Sequence, residues 1–421
     1  MPAAGRGGRT RMDALPVIFG NEVEAYSFAR LFHETYGVNS LVVAEYPRGH
    51  INNSSILSVR YCERHIMEDE EKFVALLNSL AAEFADRRLI CLVNVDEGVD
   101  VIVRNRHRLA SNWFFPFAAP DVVDLANSKE AMAQVYEKVG EAAPRRAVVH
   151  LSQPDTWDAA LATLPFPIVV KPARADNPTS LYATGLKKVE VFDDAAPARA
   201  KFATLAGRQV DIDLIAQELI PGDDTTQWVV NGYIDSRGHL SAIGSGRVLL
   251  GLHEPSLIGN AGIILTDPEG FLTDRAERIV REVGLRGFFS MDVKIDPRTG
   301  RAYWLDLNPR AGRGHYYLKV GGVNLARALV ADMAGETAPL QRVNRAGIFA
   351  IIPAWLAGRH YLRDPQLAEQ VRRVRRRGPV VNPIAYSKDR HPKRTLFRML
   401  SDIRAVQKMR RFYPHPTESG F

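Results

Sequence analysis

Cysteine is scarce: the 421 residues contain two, Cys62 and Cys91, too few for a disulfide framework and in no paired metal-ligand spacing. That scarcity fits a reducing cytoplasm. No run of about twenty apolar residues occurs, so no segment reads as a membrane-spanning helix. The stretch from Met1 to Met12, rich in Ala, Gly and Arg, is not followed by the apolar core of a signal peptide. Residues 1–13 read as a disordered tail, or Met12 is the true beginning. No internal repeat is apparent. Acids are the other shortage: 48 Asp and Glu stand against 55 Lys and Arg, a formal charge of +7 with a pI near 9.3. That balance points to anionic partners, which nucleotides, phosphate-bearing precursors, lipid surfaces and nucleic acid all satisfy. With 46 % hydrophobic residues the chain can bury a sizeable core and should divide into two to four modules.

The first module opens as strand, helix, strand. Leu15 to Gly20 is a short apolar run ending in Gly, Val23 to Phe32 has helical spacing, and Ser40 to Ala44 is a second strand. A helical stretch from Glu70 to Phe84 then leads into Leu89 to Val95, ending at Asp96, Glu97 and Gly98. This alternation predicts a small parallel, Rossmann-like α/β domain over residues 14–120, with ligand contacts at the carboxyl ends of its strands and Gly20-Asn21 a weak candidate for one. From Asp124 the pattern changes. A helix capped by Asn127 or Ser128 carries Lys129 on its first turn, and Pro165 to Pro172 is a buried strand bracketed by prolines. Ala216 to Asp224 enters a Pro-Gly turn, and Ser241 to Leu250 and Phe288 to Leu307 read as strands of another sheet. Two α/β lobes with a nucleotide between them account for residues 121–344.

Beyond residue 345 the chain turns basic, with Arg372, Arg373, Arg375, Arg376 and Arg377 as its densest run. Leu396, Phe397, Met399, Leu400, Ile403 and Val406 fall on one side of a predicted amphipathic helix there. Either that side packs on the protein's own core or it lies against an anionic membrane.

The sharpest chemical signal is Asp292 followed by Tyr303-Trp304-Leu305-Asp306-Leu307-Asn308-Pro309-Arg310, with a Pro-Arg-Thr-Gly turn from Pro297 to Gly300 between them. Asp306 and Asn308 are two apart and so share one face of a strand, and an antiparallel neighbour brings Asp292 alongside. Two carboxylates and an amide oxygen suit magnesium, which keeps positions for water and phosphate, and Asp306 can bridge two ions; manganese is the alternative cation. Arg310 lies where a guanidinium can hold a transferring phosphoryl group or a tetrahedral oxyanion. An ordinary hairpin explains each residue alone, but not the ordered set. Lys171 ends an apolar strand and needs a partner for its charge, which phosphate oxygens supply; Lys129 is a second candidate. In Gln217-Glu218-Leu219-Ile220 a strand edge can face an adenine ring, with Glu218 accepting from its amino group, and Asp223 or Asp224 accepting from ribose. Arg247, His253, Arg313 and His315 are candidates for holding substrate anions or handling protons. A nucleic-acid-binding protein built on the basic C-terminal region would need no such metal and phosphate set.

Lys129, the PFPIVVKP strand with Lys171, the QELIPG segment and the pairing of Asp292 with the DLNPR segment together resemble the ATP-grasp superfamily across roughly residues 15–340. GNEVEAYSFARLF from Gly20, NSKEAMAQVYEKVG from Asn127 and the Gly185-Leu186-Lys187-Lys188-Val189 stretch make the whole chain similar to the D-aspartate ligase group of carboxylate–amine ligases in bacterial cell-wall synthesis. The resemblance implies a pre-ATP-grasp domain over 14–120, a two-lobed ATP-grasp domain over 121–344 and a basic C-terminal extension over 345–421. It implies ATP phosphates on Lys129 and Lys171, adenine at Glu218, and magnesium ions on Asp292, Asp306 and Asn308. It further implies an amino-acid donor activated as an acyl phosphate, and an amine acceptor on a nucleotide-linked or lipid-linked peptide. Asp306 departs from the Glu of many relatives, so strand and ion must lie closer. Pro172 to Gly185 is the expected loop over the nucleotide. Another ATP-grasp ligase, making a free dipeptide or modifying a protein, would share all of these residues.

Overall fold

Three sheets organise the computed structural model, which describes residues 12–173, 185, 187–210, 212–358 and 360–420. Of the expectations above, the tail over residues 1–11 and the centre of the Pro172 to Gly185 loop lie outside the described residues.

The first sheet is parallel and five-stranded, in the order Leu57–Tyr61, Ser40–Ala44, Ala14–Phe19, Arg88–Val93, Trp113–Phe114. Its central strands are near-continuous apolar runs because both faces are covered. Helix Val23–Tyr36, stopped by a left-handed Gly37, packs Tyr26, Phe28 and Phe32 of one face into a core shared with Phe288, Tyr317 and Leu329. Helix Glu70–Glu83, capped by Asp69, covers the other face with Phe73, Leu77 and Leu80. Strand order reverses beside Ala14–Phe19, which makes the carboxyl ends of Ala14–Phe19 and Arg88–Val93 the expected crevice. Asp96, Glu97 and Gly98, expected to end a strand, instead open the helix Asp96–Arg104, where acids in the first turn complement the helix dipole.

The second sheet is antiparallel, ordered Arg146–His150, Asp213–Glu218, Ile168–Pro172, Glu190–Phe192. Helices Pro154–Thr163 and Ala195–Gly207 cover it through Trp157, Leu161, Phe202 and Leu205. The third sheet runs Ala302–Asn308, Gly287–Ile295, Gln227–Ile234, Leu240–Gly251, Ala261–Asp267, Ile348–Ala350, Val380–Val381, with Gln341–Arg342 beside Leu240–Gly251. The turn expected at Pro297 to Gly300 joins its first two strands, with Gly300 N–H donating to Asp296 O at 2.8 Å. Because Ile348–Ala350 and Val380–Val381 continue this sheet, the basic region from 345 is built into it rather than hung from it.

Helix Pro365–Arg377 buries Leu367, Val371 and Val374 and turns Arg373, Arg375, Arg376 and Arg377 to solvent. The amphipathic stretch is the helix Pro392–Phe412, but its apolar residues divide. Phe397 packs edge-on to His50 with ring centroids 5.1 Å apart, and Val406 leans on the core, whereas Leu396, Met399, Leu400 and Ile403 face solvent. Among the described residues no helix is long and apolar enough to cross a membrane.

Gly287 is where the parallel domain meets the large sheet. Its φ is +81° and a Cβ there would come within 2.1 Å of the Pro116 carbonyl oxygen. Gly284, at φ +72°, has open space around its missing side chain. Gly287→Ala should therefore destabilise by about 3 kcal/mol, and Gly284→Ala only by the left-handed backbone cost of about 1 kcal/mol. Thermal unfolding of both variants checks this; equal shifts would show that the approach to Pro116 is immaterial.

Candidate active site

The hairpin Gly287–Ile295/Ala302–Asn308 forms the floor of a cavity of about 1580 Å³ between the second and third sheets and the parallel domain. Asp292 lies directly opposite Asp306, and Ser290 opposite Asn308. The register slips by one residue between Asp292 and Val293, so Leu305 is the extra residue of a bulge. Ala302 and Trp304 before it, and Leu307 after it, all enter the core, and Asp306 and Asn308 are re-aimed into the cavity. Arg146 donates to the Leu305 carbonyl from the neighbouring sheet. Trp304 is fixed in turn: its indole N–H donates to Glu141 at 2.9 Å, its backbone N–H to Ala142 O at 2.8 Å, and Tyr136 stacks on its ring.

That packing places a cation. Tyr136 and Met132 are the buried side of helix Lys129–Lys138, capped by Ser128 rather than Asn127, which belongs to the preceding helix Pro120–Asn127. Docked on Trp304, the helix brings Lys129 Nζ to 3.6 Å from Asp306. Lys171, from the end of Ile168–Pro172, reaches the other oxygen of the same carboxylate at 3.5 Å. Burial pushes the Lys129 ammonium down to about 8, against the pull of Asp306. Burial also works to raise Asp306, but Lys171, Lys129 and Arg146 outweigh it and hold the carboxyl below its usual range. Across the hairpin, burial and then the Asp306 charge push Asp292 up to about 7. Two facing carboxylates cannot both ionise cheaply without a cation between them, and the Asn308 amide supplies a third oxygen. These residues fit magnesium. Among the described residues no group of three or more His, Cys, Asp or Glu is placed to hold a metal ion by itself, so water and phosphate would complete the ion's shell.

At the parallel-domain end, Arg310 Nε donates to Asp96 at 2.6 Å and its Nη2 to the other Asp96 oxygen at 2.9 Å. Arg313 donates to Glu22 at 2.6 Å and lies 3.9 Å from Glu24. Glu24 is buried, one of its oxygens has no hydrogen-bond partner, and burial raises its pKa. The Asn231 amide nitrogen, also buried in the cavity wall, has no partner either. Gly20 and Asn21 do not line the cavity; Glu24 and the run from Asn94 to Glu97 do.

At the opposite end, Glu218 lines the cavity but is not on a strand edge. Asp213–Glu218 has partners on both sides, and Glu218 N–H and Leu219 N–H are taken by Arg145 O and Pro167 O at 3.0 and 2.9 Å. Only the Glu218 side chain and backbone beyond Leu219 remain to face a ring. Of the two acids after it, Asp224 lines the cavity, accepting from Gly251 N–H and His253 Nε2, both at 2.8 Å. Asp223 turns back to cap the turn at Thr225 and to meet Arg363. Arg247 lies outside the cavity, donating to the Thr225 carbonyl. His315 is also outside: it stacks on Phe28 at 3.9 Å in the core, and burial lowers it to about 4, so it is neutral and takes no part as a proton donor at pH 7. His253 is in the wall, stacked on Tyr413 at 3.5 Å.

Three features of the cavity escaped the sequence. Ser290, Asp292 and Lys294 share one strand face, a period-2 signal that extends from Asp292. Lys188, whose Nζ donates to Ile258 O at 2.8 Å, faces the cavity too. The C-terminal arm also walls the cavity through Ser419 and Gly420: Lys294 donates to Ser419 O at 2.9 Å and Gly222 N–H to Glu418 O at 2.7 Å. No local pattern foretells that contact between the C-terminal arm and the middle of the chain.

No family model matches the chain. Over nearly its whole length it is similar to the D-aspartate ligase of Enterococcus faecium (strain Aus0004), 25 % identical over 405 residues, which are 91 % of this chain and 92 % of that one. A shorter similarity joins it to the D-alanine–D-alanine ligase of Cupriavidus metallidurans, 30 % identical over 205 residues, 45 % of this chain and 57 % of the relative. Among solved structures, the ADP complex of N5-carboxyaminoimidazole ribonucleotide synthetase superposes with a TM-score of 0.59 over 87 % of this chain and 88 % of that one. At 12 % identity that likeness is one of fold.

A chain ending after Pro416 loses the wall made by the arm. If a nucleotide base and ribose occupy the end lined by Glu218 and Asp224, its KM for ATP should rise about tenfold, the worth of one or two hydrogen bonds, with kcat within about twofold. Steady-state ADP release measures both. An unchanged KM would detach the arm from the nucleotide site, and a fall would mark it as an obstruction.

Proposed function

We propose that this chain, an ATP-grasp carboxylate–amine ligase, joins the carboxylate of a D-aspartate-like amino acid to an amine of a peptidoglycan precursor peptide. The observation that supports this most is the reach of the similarity to a D-aspartate ligase. Covering 91 % of the chain, it extends into the parallel domain, and that domain brings Glu24, Asn94 and Asp96 to the cavity beside Arg310 and Arg313.

A free carboxylate is a poor electrophile, because charge and resonance both deactivate its carbonyl carbon. Magnesium ATP supplies a phosphoryl group that converts it to an acyl phosphate, which an amine displaces. In this proposal Lys129 and Lys171 hold phosphate oxygens, and Asp292, Asp306 and Asn308 hold one or two magnesium ions, with manganese as a substitute. Glu218 and Asp224 face the base and ribose. Arg313 takes a carboxylate of the donor, and the Glu24 oxygen that accepts no hydrogen bond takes its ammonium. Arg310 is placed to neutralise charge at the reacting centre, since it reaches Asn308 as well as Asp96. An acceptor ε-amine, with an ordinary pKa near 10.4, arrives as a cation. Glu24, Asp96 and Glu97 line this end of the cavity, and their carboxylates offset the charge of Arg310 and Arg313 where the amine would approach. The sheet Arg146–His150/Asp213–Glu218/Ile168–Pro172/Glu190–Phe192 forms one wall of the cavity through Arg146, Lys171 and Glu218.

ADP release measured over a panel of L- and D-amino acids, each with and without a lysine-containing precursor peptide, tests this. Turnover should need one acidic donor and the peptide. It should drop by about three orders of magnitude or more in Asp306→Ala, where metal and lysine anchor go together. Arg313→Ala should raise the donor KM roughly 10- to 100-fold, the worth of a charge-assisted pair. Turnover with free amino acids alone would favour a dipeptide ligase, and none with any pair would sink the substrate class.

A further inference from the structure

The terminal helix Pro392–Phe412 is held to the protein by one side only. Arg394 is buried, with its guanidinium 4.4 Å from the Tyr26 ring centroid and donating to the carbonyls of His50 and Asn52 at 3.0 and 3.1 Å. Phe397 packs on His50, and Met409 is buried in the core near Leu249 and Leu250. On the far side, one to two turns apart, stand Leu396, Met399, Leu400 and Ile403, exposed by 56, 54, 43 and 53 %. Four large aliphatic side chains side by side in water are not the scattered singles of an ordinary surface. Their spacing of i, i+3, i+4 and i+7 makes them one stripe.

The rim of that stripe is cationic. Lys393, Arg404, Arg410 and Arg411 are all exposed, and Lys388 and Arg390 add to them just before the helix begins. The helix holds seven Lys or Arg and a single acid, Asp402, which lies 3.8 Å from Arg398. This charge decides between occupants. A second copy of the chain, related by a two-fold axis along the stripe, would set one strongly cationic helix against another with almost no acids to answer. A nucleic acid would answer the charge but leave the aliphatic stripe in water. A bilayer rich in anionic phospholipid answers both: the stripe enters the boundary between headgroups and acyl chains, and the flanking bases meet lipid phosphates. The helix is already folded and anchored, so docking carries no ordering cost for its backbone.

We infer that the outward side of helix Pro392–Phe412 is a docking surface for an anionic phospholipid bilayer, through Leu396, Met399, Leu400 and Ile403 with Lys393, Arg404, Arg410 and Arg411 at its edges. This holds whichever amine the ligase uses, because none of these residues lines the central cavity.

Sedimentation of the full chain with vesicles of phosphatidylcholine alone, or of phosphatidylcholine with phosphatidylglycerol, tests it. The native chain should pellet with the second and not the first. Leu396→Asp/Ile403→Asp should weaken that binding by about tenfold or more, as should Arg404→Glu/Arg411→Glu. Both double variants change exposed side chains only and should keep solution ADP release within about twofold. Failure of the native chain to pellet with either vesicle would overturn the inference. So would binding that survives Leu396→Asp/Ile403→Asp, the mark of a merely polybasic surface, or a dimer that this variant dissociates while vesicle binding persists.

Discussion

Two ammonium groups from different parts of the chain meet on one carboxylate at the centre of the molecule. Lys129 comes from a helix docked on the large sheet, Lys171 from the small antiparallel sheet, and Asp306 from the hairpin, so this contact ties three elements together. Burying two lysines side by side is costly unless each has an opposite charge, and Asp306 is the group that supplies it. Its partners stand at 3.5 and 3.6 Å, longer than a charged hydrogen bond, which leaves both ammoniums able to turn to other anions. Phosphate oxygens arriving with a divalent cation would take over the lysines while the cation takes over Asp306. Each lysine and the carboxylate would then exchange one oppositely charged partner for another, and the site need not be rebuilt to change occupant.

How the carboxylate comes to face the cavity depends on a single extra residue. Along a regular strand Trp304 and Asp306 would point the same way, and the largest buried aromatic of the core would drag an acid in with it. The bulge at Leu305 breaks that phase. Trp304 therefore anchors helix Lys129–Lys138 through Tyr136, while Asp306 receives the lysine that this helix carries. Packing on one side of the hairpin and electrostatics on the other are set by the same bulge.

Much of this is legible in the sequence. The strand–helix alternation of residues 14–120, the hairpin turn and the shared face of Asp306 and Asn308 all follow from local periodicity and turn chemistry, and they stand in the structure as the sequence predicts. Less visible was anything that depends on what packs where. His315 reads as a proton-handling group because histidine near a carboxylate motif often is, yet Phe28 from a distant helix stacks on it and burial keeps it neutral. Arg247 lies on a strand whose neighbours reach the cavity, but its guanidinium is drawn to the Thr225 carbonyl. The segment at Glu218 looks like an edge because a Pro-Gly turn follows it. Only the crossing connection that inserts Asp213–Glu218 between two earlier strands reveals that its amides are spent. Asp223 and Asp224 are equivalent by sequence, and a capped turn separates their roles.

The exchange of partners at Asp306 has a counterpart at the other end of the cavity. Arg310 and Arg313 follow directly on the metal-type hairpin, and both pair with acids of the parallel domain, Asp96 and Glu22. Asp96 is half-exposed and the Arg313–Glu22 pair about a quarter exposed, so both bridges lie where an entering ligand can reach them. An incoming carboxylate that takes Arg313 would release Glu22 to Arg48, which already lies 3.4 Å away, and no charge would be left unanswered. Glu24 differs: its buried Oε2 accepts no hydrogen bond and has only the Arg313 guanidinium, 3.9 Å away, to answer its charge. The parallel domain is thus joined to the hairpin by contacts that a zwitterionic ligand can replace one for one, which couples the occupation of this end to the position of the domain that forms it.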